Sequence, residues 1–368
     1  MSEVDVRSLG DEVCRLGRDA GLTAVGIAPA APFEETRRVL EERKGAGLHG
    51  GMHFTYGNPG RSTDPGRIVA GARALVVGAL DYRRAEPAEH GQGEVARYAW
   101  RDHYADLRDA LEQIAAHLRG AGWQARVVVD DNALVDREAA YRAGLGWYGK
   151  NTNLLLDGRG SWFVLGSVVT DAPLPETGPP QADGCGPCSR CLNACPTGAL
   201  VAPGVLDARR CLAWLLQATG PFPLEFREAL GGRVYGCDDC QEVCPPNRAL
   251  DRLDPAPEAE PDAHARVDLL ELLALDDAAL IDEVGRWYVP RREARYVRRN
   301  ALVALGNVGD GDDPAVVEAL QRCLADPDPI VRGHAVWAAA RLGRGELLAP
   351  LAHDDDPDVR AELSAVRR

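Results

Sequence analysis

Eight of the ten cysteines in this 368-residue chain fall between positions 185 and 244, and their spacing constrains the fold more than any other feature. Cys185, Cys188, Cys191 and Cys195 spell C-x2-C-x2-C-x3-C and are followed by Pro196. Cys237, Cys240 and Cys244 repeat the C-x2-C-x3-C ending ahead of Pro245. Two-residue gaps let three thiolates from one loop converge on one face of a 4Fe-4S cubane, while the fourth, one helical turn on, points to a different cluster. The second run lacks its first cysteine; Cys211, in the intervening RRCLAWLL, takes that place and brings the count to eight thiolates. The crossover rule then gives one cluster to Cys185, Cys188, Cys191 and Cys244, and a second to Cys195, Cys211, Cys237 and Cys240. Zinc also takes thiolate ligands, but the two C-x3-C-P endings follow the cluster pattern. Cys14 and Cys323 lie on predicted helices among apolar residues and read as buried core thiols.

So many cysteines outside a disulfide framework fit a compartment that keeps thiols reduced. The N-terminal MSEVDVRSLGDEV is acidic and amphipathic, unlike a secretory signal, and no apolar run is long enough to span a bilayer. A cytoplasmic location is expected. A net charge of -14 argues against indiscriminate binding to nucleic acid while leaving room for a local basic surface. Only Lys44 and Lys150 are lysines among 42 cationic residues, so each stands out against a strong arginine bias.

The length allows two or three domains. Over residues 1–175 helical and strand patterns alternate: a helix over 2–20, LTAVGIA, a helix over 33–43, ALVVGAL, the helical DHYADLRDALEQIAAHLRGAG, ARVVVD ending at Asp130, the helical LVDREAAYRAG, then LLLD and WFVLGSVVTD. This alternation predicts an α/β sheet domain. DAPLPETGPPQADG reads as a linker into a ferredoxin-like two-cluster module over 176–250. Over 265–368, VRRNALVALG recurs as VRGHAVWAAARLG and VRAELSAV, the last two introduced by the acidic turns DPDP and DDDP. The recurrence predicts an α-helical HEAT-like tail, with a plain helical bundle as the alternative.

Two clusters need little more than the cysteine segment, so the α/β domain must hold whatever the electrons serve. RYAWRDHYADLR at 97–108, VVVDDNALVDREAAYRAGLGWYGKNTNLLL at 127–156, GSWFVLG at 160–166, both cysteine runs and RRNALVALGN at 298–307 together resemble the epoxyqueuosine reductases, cobalamin-dependent enzymes of queuosine biosynthesis. The likeness covers nearly all of the chain. The family's R-Y-A-x-G-x-D-Y-H is here RYAWRDHYAD, one residue shorter and without the glycine, around Asp102, His103 and Tyr104. No D-x-H-x-x-G motif for a cobalt-ligating histidine occurs.

The resemblance implies a monomeric enzyme that reduces epoxyqueuosine to queuosine at the wobble position of tRNA. Cobalamin and two 4Fe-4S clusters would be its cofactors, and an external low-potential donor would supply electrons. It places the general acid at Asp130. The residues agree, since Asp130 ends a predicted strand, where open α/β sheets gather their sites, and a carboxylic acid buried beside a corrinoid would stay protonated. A plain helix cap at Asp130 or Asp131 is the alternative. Tyr104, Lys150, Asn153 and Ser161 are expected with Asp130 around the corrinoid. In GLGWYGKN, Gly144 and Gly146 allow close backbone approach and Lys150 offers a point charge to a corrinoid amide or a phosphate. The alternative is a turn over the core with Trp147 packing beneath it. Between Arg286 and Arg299, six arginines and one acid, Glu293, interleave with Trp287, Tyr288 and Tyr296. Arginine clamps phosphates and aromatic rings stack on splayed bases, and the resemblance directs Arg291, Arg295, Arg298 and Arg299 to a tRNA anticodon stem-loop. A solvated arginine face is the alternative. Two rivals to the whole reading are a corrinoid reductive dehalogenase, which usually has an export signal and no repeat tail, and a non-catalytic electron-transfer protein.

Overall fold

The computed structural model describes residues 3–87 and 91–366, with side chains from residue 7 onward. Met1 and Ser2, part of the acidic N-terminal stretch, lie outside them. The chain divides into two compact units, each assembled from separated segments. The first takes Met1–Ala85, Asp102–Arg209 and Asp239–Pro257; the second takes Glu86–Arg101, Arg210–Asp238 and Glu258–Arg368.

At the centre of the first unit is a sheet of β1 (Ala24–Pro29), β2 (Ala74–Asp81), β3 (Ala125–Val129) and β4 (Phe163–Thr170), in the order β1-β2-β4-β3. All three pairings are antiparallel, with Ala24 opposite Ala79 and Thr170 opposite both Ala74 and Ala125. The apolar runs of the sequence fall on these strands because both sheet faces are covered. On one face lie α1 (Glu3–Asp19) and α2 (His103–Gly120), with Leu111 of α2 packed over Gly78 and Gly166. Leu107, Leu111, Ile114 and Leu118 of α2 are fully buried, each contributing roughly 1.5–3 kcal/mol. On the other face, α3 (Asp136–Arg142) sets Ala139 and Ala140 against Leu75, Val77 and Val169. The same unit carries the short helices Arg190–Ala194, Asp239–Glu242 and Pro245–Leu253, on or beside which six of the clustered cysteines sit.

The second unit has a small sheet of Arg233–Tyr235, Gly93–Val95 and Arg266–Val267. Its helices α4 (Arg295–Val308), α5 (Pro314–Leu324), α6 (Pro329–Arg341) and α7 (Pro357–Val366) form the repeat tail, with α6 packed against each of the other three. The acidic turns act as N-caps. Asp313 accepts from Ala315 N–H and Asp328 from Ile330 N–H, each ahead of a proline in the first helical turn. Asp356 accepts from Val359 N–H in the same way. From α5 to α7, what recurs is therefore a cap, a proline and an apolar helix, whereas α4 starts after Ala294 without a side-chain cap. Among the described residues no helix is long and apolar enough to cross a membrane.

Candidate functional site

Cys185, Cys188, Cys191 and Cys244 belong to the first unit, with Cys191 and Cys244 buried and the other two half-buried. Burial pushes the Cys244 thiol up to about 12, and Cys185, Cys191 and Cys188 add to the rise. Burial raises Cys191 as well, with Cys185 and Cys188 again contributing. Four thiols that feel one another this way are costly to ionise alone, and bound iron removes that cost by holding each as a thiolate. This donor set fits a cubane. Among the described residues no three His, Cys, Asp or Glu side chains stand close enough to hold a single metal ion; a cubane asks for a wider ring, one thiolate to each iron. Cys195 and Cys240 lie in the first unit, Cys211 and Cys237 in the second. The Cys195 sulfur accepts from Ala199 N–H at 3.2 Å, the kind of contact that tunes a cluster's potential.

GLGWYGKN braces this cysteine loop. Gly146–Tyr148 and Leu154–Leu156 pair as a hairpin in which a side chain on Gly146 would meet the Leu155 carbonyl at 2.0 Å. Trp147 packs with Leu155, Cys244 and Cys185, and Gly184 passes so near its ring that an added Cβ would stand 2.7 Å away. Lys150 Nζ donates to Gly186 O at 2.5 Å and Cys188 O at 2.9 Å. Asn151, which drew no attention as part of an ordinary turn sequence, donates to Cys240 O at 3.3 Å. Asn153 closes the turn, its N–H donating to Asn151 Oδ1 and its carbonyl accepting from Gly149. Ser161 is 4% exposed and sits in a network in which its hydroxyl donates to Gln241 Oε1 and accepts from Asn247 Nδ2. Lys150 and Ser161 thus reach the cysteine segments, and the backbone of Asn153 closes the turn between them.

Asp130 follows the last residue of β3 and has φ of +49°, a left-handed conformation costly for a side-chain-bearing residue. The site rule for parallel sheets does not reach it, since this sheet is antiparallel; the backbone strain marks it instead. Asp130 is exposed to solvent, yet enough of the protein surrounds its carboxyl that desolvation raises its pKa. Arg108 opposes the rise, while Asp102 and Asp131 add to it. Arg108 is held by donation to Val129 O at 3.1 Å. Asp131 Oδ1 accepts from Ala133 N–H, as a turn residue does. Asp102 caps α2 through Ala105 N–H, His103 is 2% exposed with its ring 5.7 Å from that of Tyr82, and Tyr104 is half-buried in the first turn of α2. Asp136, within VDREA, which reads as an ordinary helix start, has a buried Oδ1 with no hydrogen-bond partner among the described residues. Burial, then Asp130, raises its pKa well above the usual carboxyl range.

In the tail, Arg299 corrects the sequence reading. It is fully buried and donates to the carbonyls of Leu215, Leu216, Ala218 and Gly220, with Asn300 Oδ1 as a further acceptor. Burial lowers its pKa to about 9. A guanidinium so enclosed has no face for a phosphate. Arg298 pairs with Asp277, and Arg295 with Glu293 and Asp328; Arg291 is exposed, with φ of +52°. Of the three interleaved aromatics, Trp287 is buried and stacked on Tyr235 at 4.7 Å, Tyr296 is buried, and Tyr288 is 56% exposed.

The fold and the thiol set define a double-cluster iron-sulfur oxidoreductase with a helical-repeat tail. Family models agree: a 4Fe-4S double cluster binding domain matches residues 184–247, HEAT repeats match 289–367, and epoxyqueuosine reductase QueG, DUF1730, matches 62–131. An epoxyqueuosine reductase of Bacillus anthracis is 33% identical over 98% of this chain and 97% of its own length. An epoxyqueuosine reductase solved with a tRNA-Tyr epoxyqueuosine-modified tRNA stem loop is 29% identical, with a TM-score of 0.88 over 98% of each chain. Another, from Bacillus subtilis, solved with its aspartate catalytic loop swung out of the active site, is 30% identical, with a TM-score of 0.86 over 98% of each chain. The chain belongs to the epoxyqueuosine reductase family.

Proposed function

We propose that this chain reduces epoxyqueuosine to queuosine at the wobble position of tRNA, with Asp130 as the general acid. The observation that carries this reading is the strained, solvent-open turn that presents a carboxyl of raised pKa in a chain of this family. The stem-loop complex of one relative and the aspartate catalytic loop of another support it. Turning an epoxide into an alkene takes two electrons and two protons and releases water. Asp130 in its acid form gives a proton to the oxygen as the carbon–oxygen bond breaks, and desolvation keeps that form populated. Its exposure lets solvent return the proton.

Cobalamin belongs beside this turn and supplies, when bound, the strongly reducing cobalt centre for the two-electron step. Two orphaned buried polar atoms, Asp136 Oδ1 and His49 Nδ1, fit such a neighbour, since a corrin is rimmed with amides. They lie on segments joined by the Thr55 N–H to Asn132 Oδ1 hydrogen bond. Asp130 and Tyr104 stay as its expected contacts. Electrons come from an external low-potential donor through two clusters, one on Cys185, Cys188, Cys191 and Cys244, the other on Cys195, Cys211, Cys237 and Cys240. On the tail, exposed Arg291 and Tyr288 meet the stem-loop, and Arg295 and Arg298 join only by giving up their carboxylate partners.

The test is Asp130→Asn. Clusters, tRNA affinity and stability should stay, while kcat falls by about two to four orders of magnitude, the usual contribution of a positioned acid. In the wild type, activity should fall as pH rises through the raised pKa, and that limb should vanish in the variant. Asp131→Asn is the control. Near wild-type kcat for Asp130→Asn, or a larger loss at Asp131, sinks the assignment.

A further inference from the structure

Lys150 is one of two lysines among 42 cationic residues, and its surroundings fix where its charge can be. Its backbone is clamped, with Gly204 N–H donating to its carbonyl at 3.0 Å. The turn that follows is closed by Gly149 N–H to Asn153 O at 2.8 Å and Thr152 N–H to Gly149 O at 2.9 Å. From that base the ammonium reaches Gly186 O and Cys188 O. The loop it meets is itself fixed. Cys188 N–H donates to Cys185 O at 3.1 Å, Gly186 takes φ of +49°, and Asp183 Oδ1 accepts from Cys185 N–H at 2.8 Å. A lysine on an open surface spreads its charge over many rotamers, whereas this one is held as a point charge against the carbonyls of two residues in the run Cys185–Cys188.

A cubane with four thiolates is an anion, and one added electron makes it more so. Net charge and nearby fields therefore set its potential. A cation fixed at the ligand loop stabilises the reduced form more than the oxidised one; Asp183, on the same loop, acts in the opposite sense. We propose that Lys150 tunes the cluster held by Cys185, Cys188, Cys191 and Cys244, its fixed positive charge raising the reduction potential so that the electron settles there. The inference rests on that ligand assignment and not on the identity of the reaction.

The experiment is an anaerobic potentiometric titration of the purified full-length protein, followed by electron paramagnetic resonance, with Lys150→Gln, Lys150→Arg and Cys188→Ser beside the wild type. Glutamine keeps a hydrogen-bond donor and loses the charge; arginine keeps the charge. Lys150→Gln should retain its iron and both cluster signals, while one midpoint falls. At a fixed potential its reduced-to-oxidised ratio should drop about tenfold, which is about 59 mV for a one-electron couple. Lys150→Arg should stay near wild type. An unmoved midpoint in an iron-replete Lys150→Gln protein, an equal shift in Lys150→Arg, or loss of iron in Lys150→Gln overturns the proposal, the last by making Lys150 a mechanical pin. Failure of the ligand reading looks different: the cluster whose midpoint moved would keep its signal in Cys188→Ser.

Discussion

The turn around Asp130 and the helical tail treat buried polar groups in opposite ways. In the first unit a left-handed aspartate stands near a buried carboxyl oxygen without a partner, and a buried imidazole nitrogen on an adjoining segment is also unpaired. In the tail, Arg299 reaches four carbonyls, Arg227 pairs with Glu362, and both nitrogens of His334 are engaged, with Ile330 O and Phe222 N–H. The unpartnered groups beside the Asp130 turn suit a place finished by something that binds, while the engaged groups around Arg299 and His334 serve as scaffold. The contrast teaches that charge in a sequence does not identify a binding surface; the fate of each donor and acceptor does.

The sharpest way to break this comparison is Arg299→Met. Removing the guanidinium orphans the carbonyls of Leu215, Leu216, Ala218 and Gly220, and urea unfolding should show a loss of about 3–5 kcal/mol, the scale for stripping one partner from a buried charged network. A change below about 1 kcal/mol would return Arg299 to the list of surface candidates.

A smaller effect is expected at His334. Burial, then Arg227, lowers its pKa well below 6.5, with Arg299 also opposing the proton and the Ile330 carbonyl favouring it; the Phe222 N–H donates to Nε2 and so requires that nitrogen to be unprotonated. Below that value the unfolded chain takes up a proton that the folded one refuses, so stability falls with falling pH, by up to about 2 kcal/mol at pH 5. Denaturation at pH 7 and pH 5 should show this slope in the wild type and a flatter one in His334→Gln. Equal slopes would mean that the imidazole is not held neutral.

The smallest effect has the opposite sign. Asp136 has a folded pKa above its unfolded one, so its ionised form costs stability as pH rises. Asp136→Asn should stabilise the protein by about 1 kcal/mol near neutral pH. The gain should vanish below the ordinary carboxyl value of 3.8, where both states are protonated. A destabilised variant at neutral pH would show that the carboxylate is not an orphan, and would weaken the contrast between the two regions.

What the sequence made legible follows from which patterns carry geometry. Cysteine spacing encodes convergence on a cluster, and Asp-Pro before an apolar helix encodes a cap, so the two-cluster module and the repeat were readable in advance. Strand pairing was not, because a run such as ALVVGAL is apolar on both faces and looks alike in parallel and antiparallel sheets. Arg299 could have been placed correctly: Tyr296, Leu302 and Val303 share its face at three- and four-residue spacing and are all buried. Counting arginines along the segment, without helical period, hid that. At Asp130 the strand end is legible, but neither its φ nor the antiparallel order of the sheet has a local signature. The rarity of Lys150 is visible in the sequence, but its acceptors are backbone carbonyls, which no sequence pattern distinguishes.

The discontinuous make-up of the first unit also fixes an order of events during synthesis. Cys185, Cys188 and Cys191 leave the ribosome while Cys244 is still untranslated, and the unit that holds all four ends at Pro257. Domains generally fold as units, so a nascent chain halted before that point offers iron three thiolates of the four and no finished pocket. On the proposed ligand set, the fourth thiolate joins the other three only in a chain more than two-thirds made.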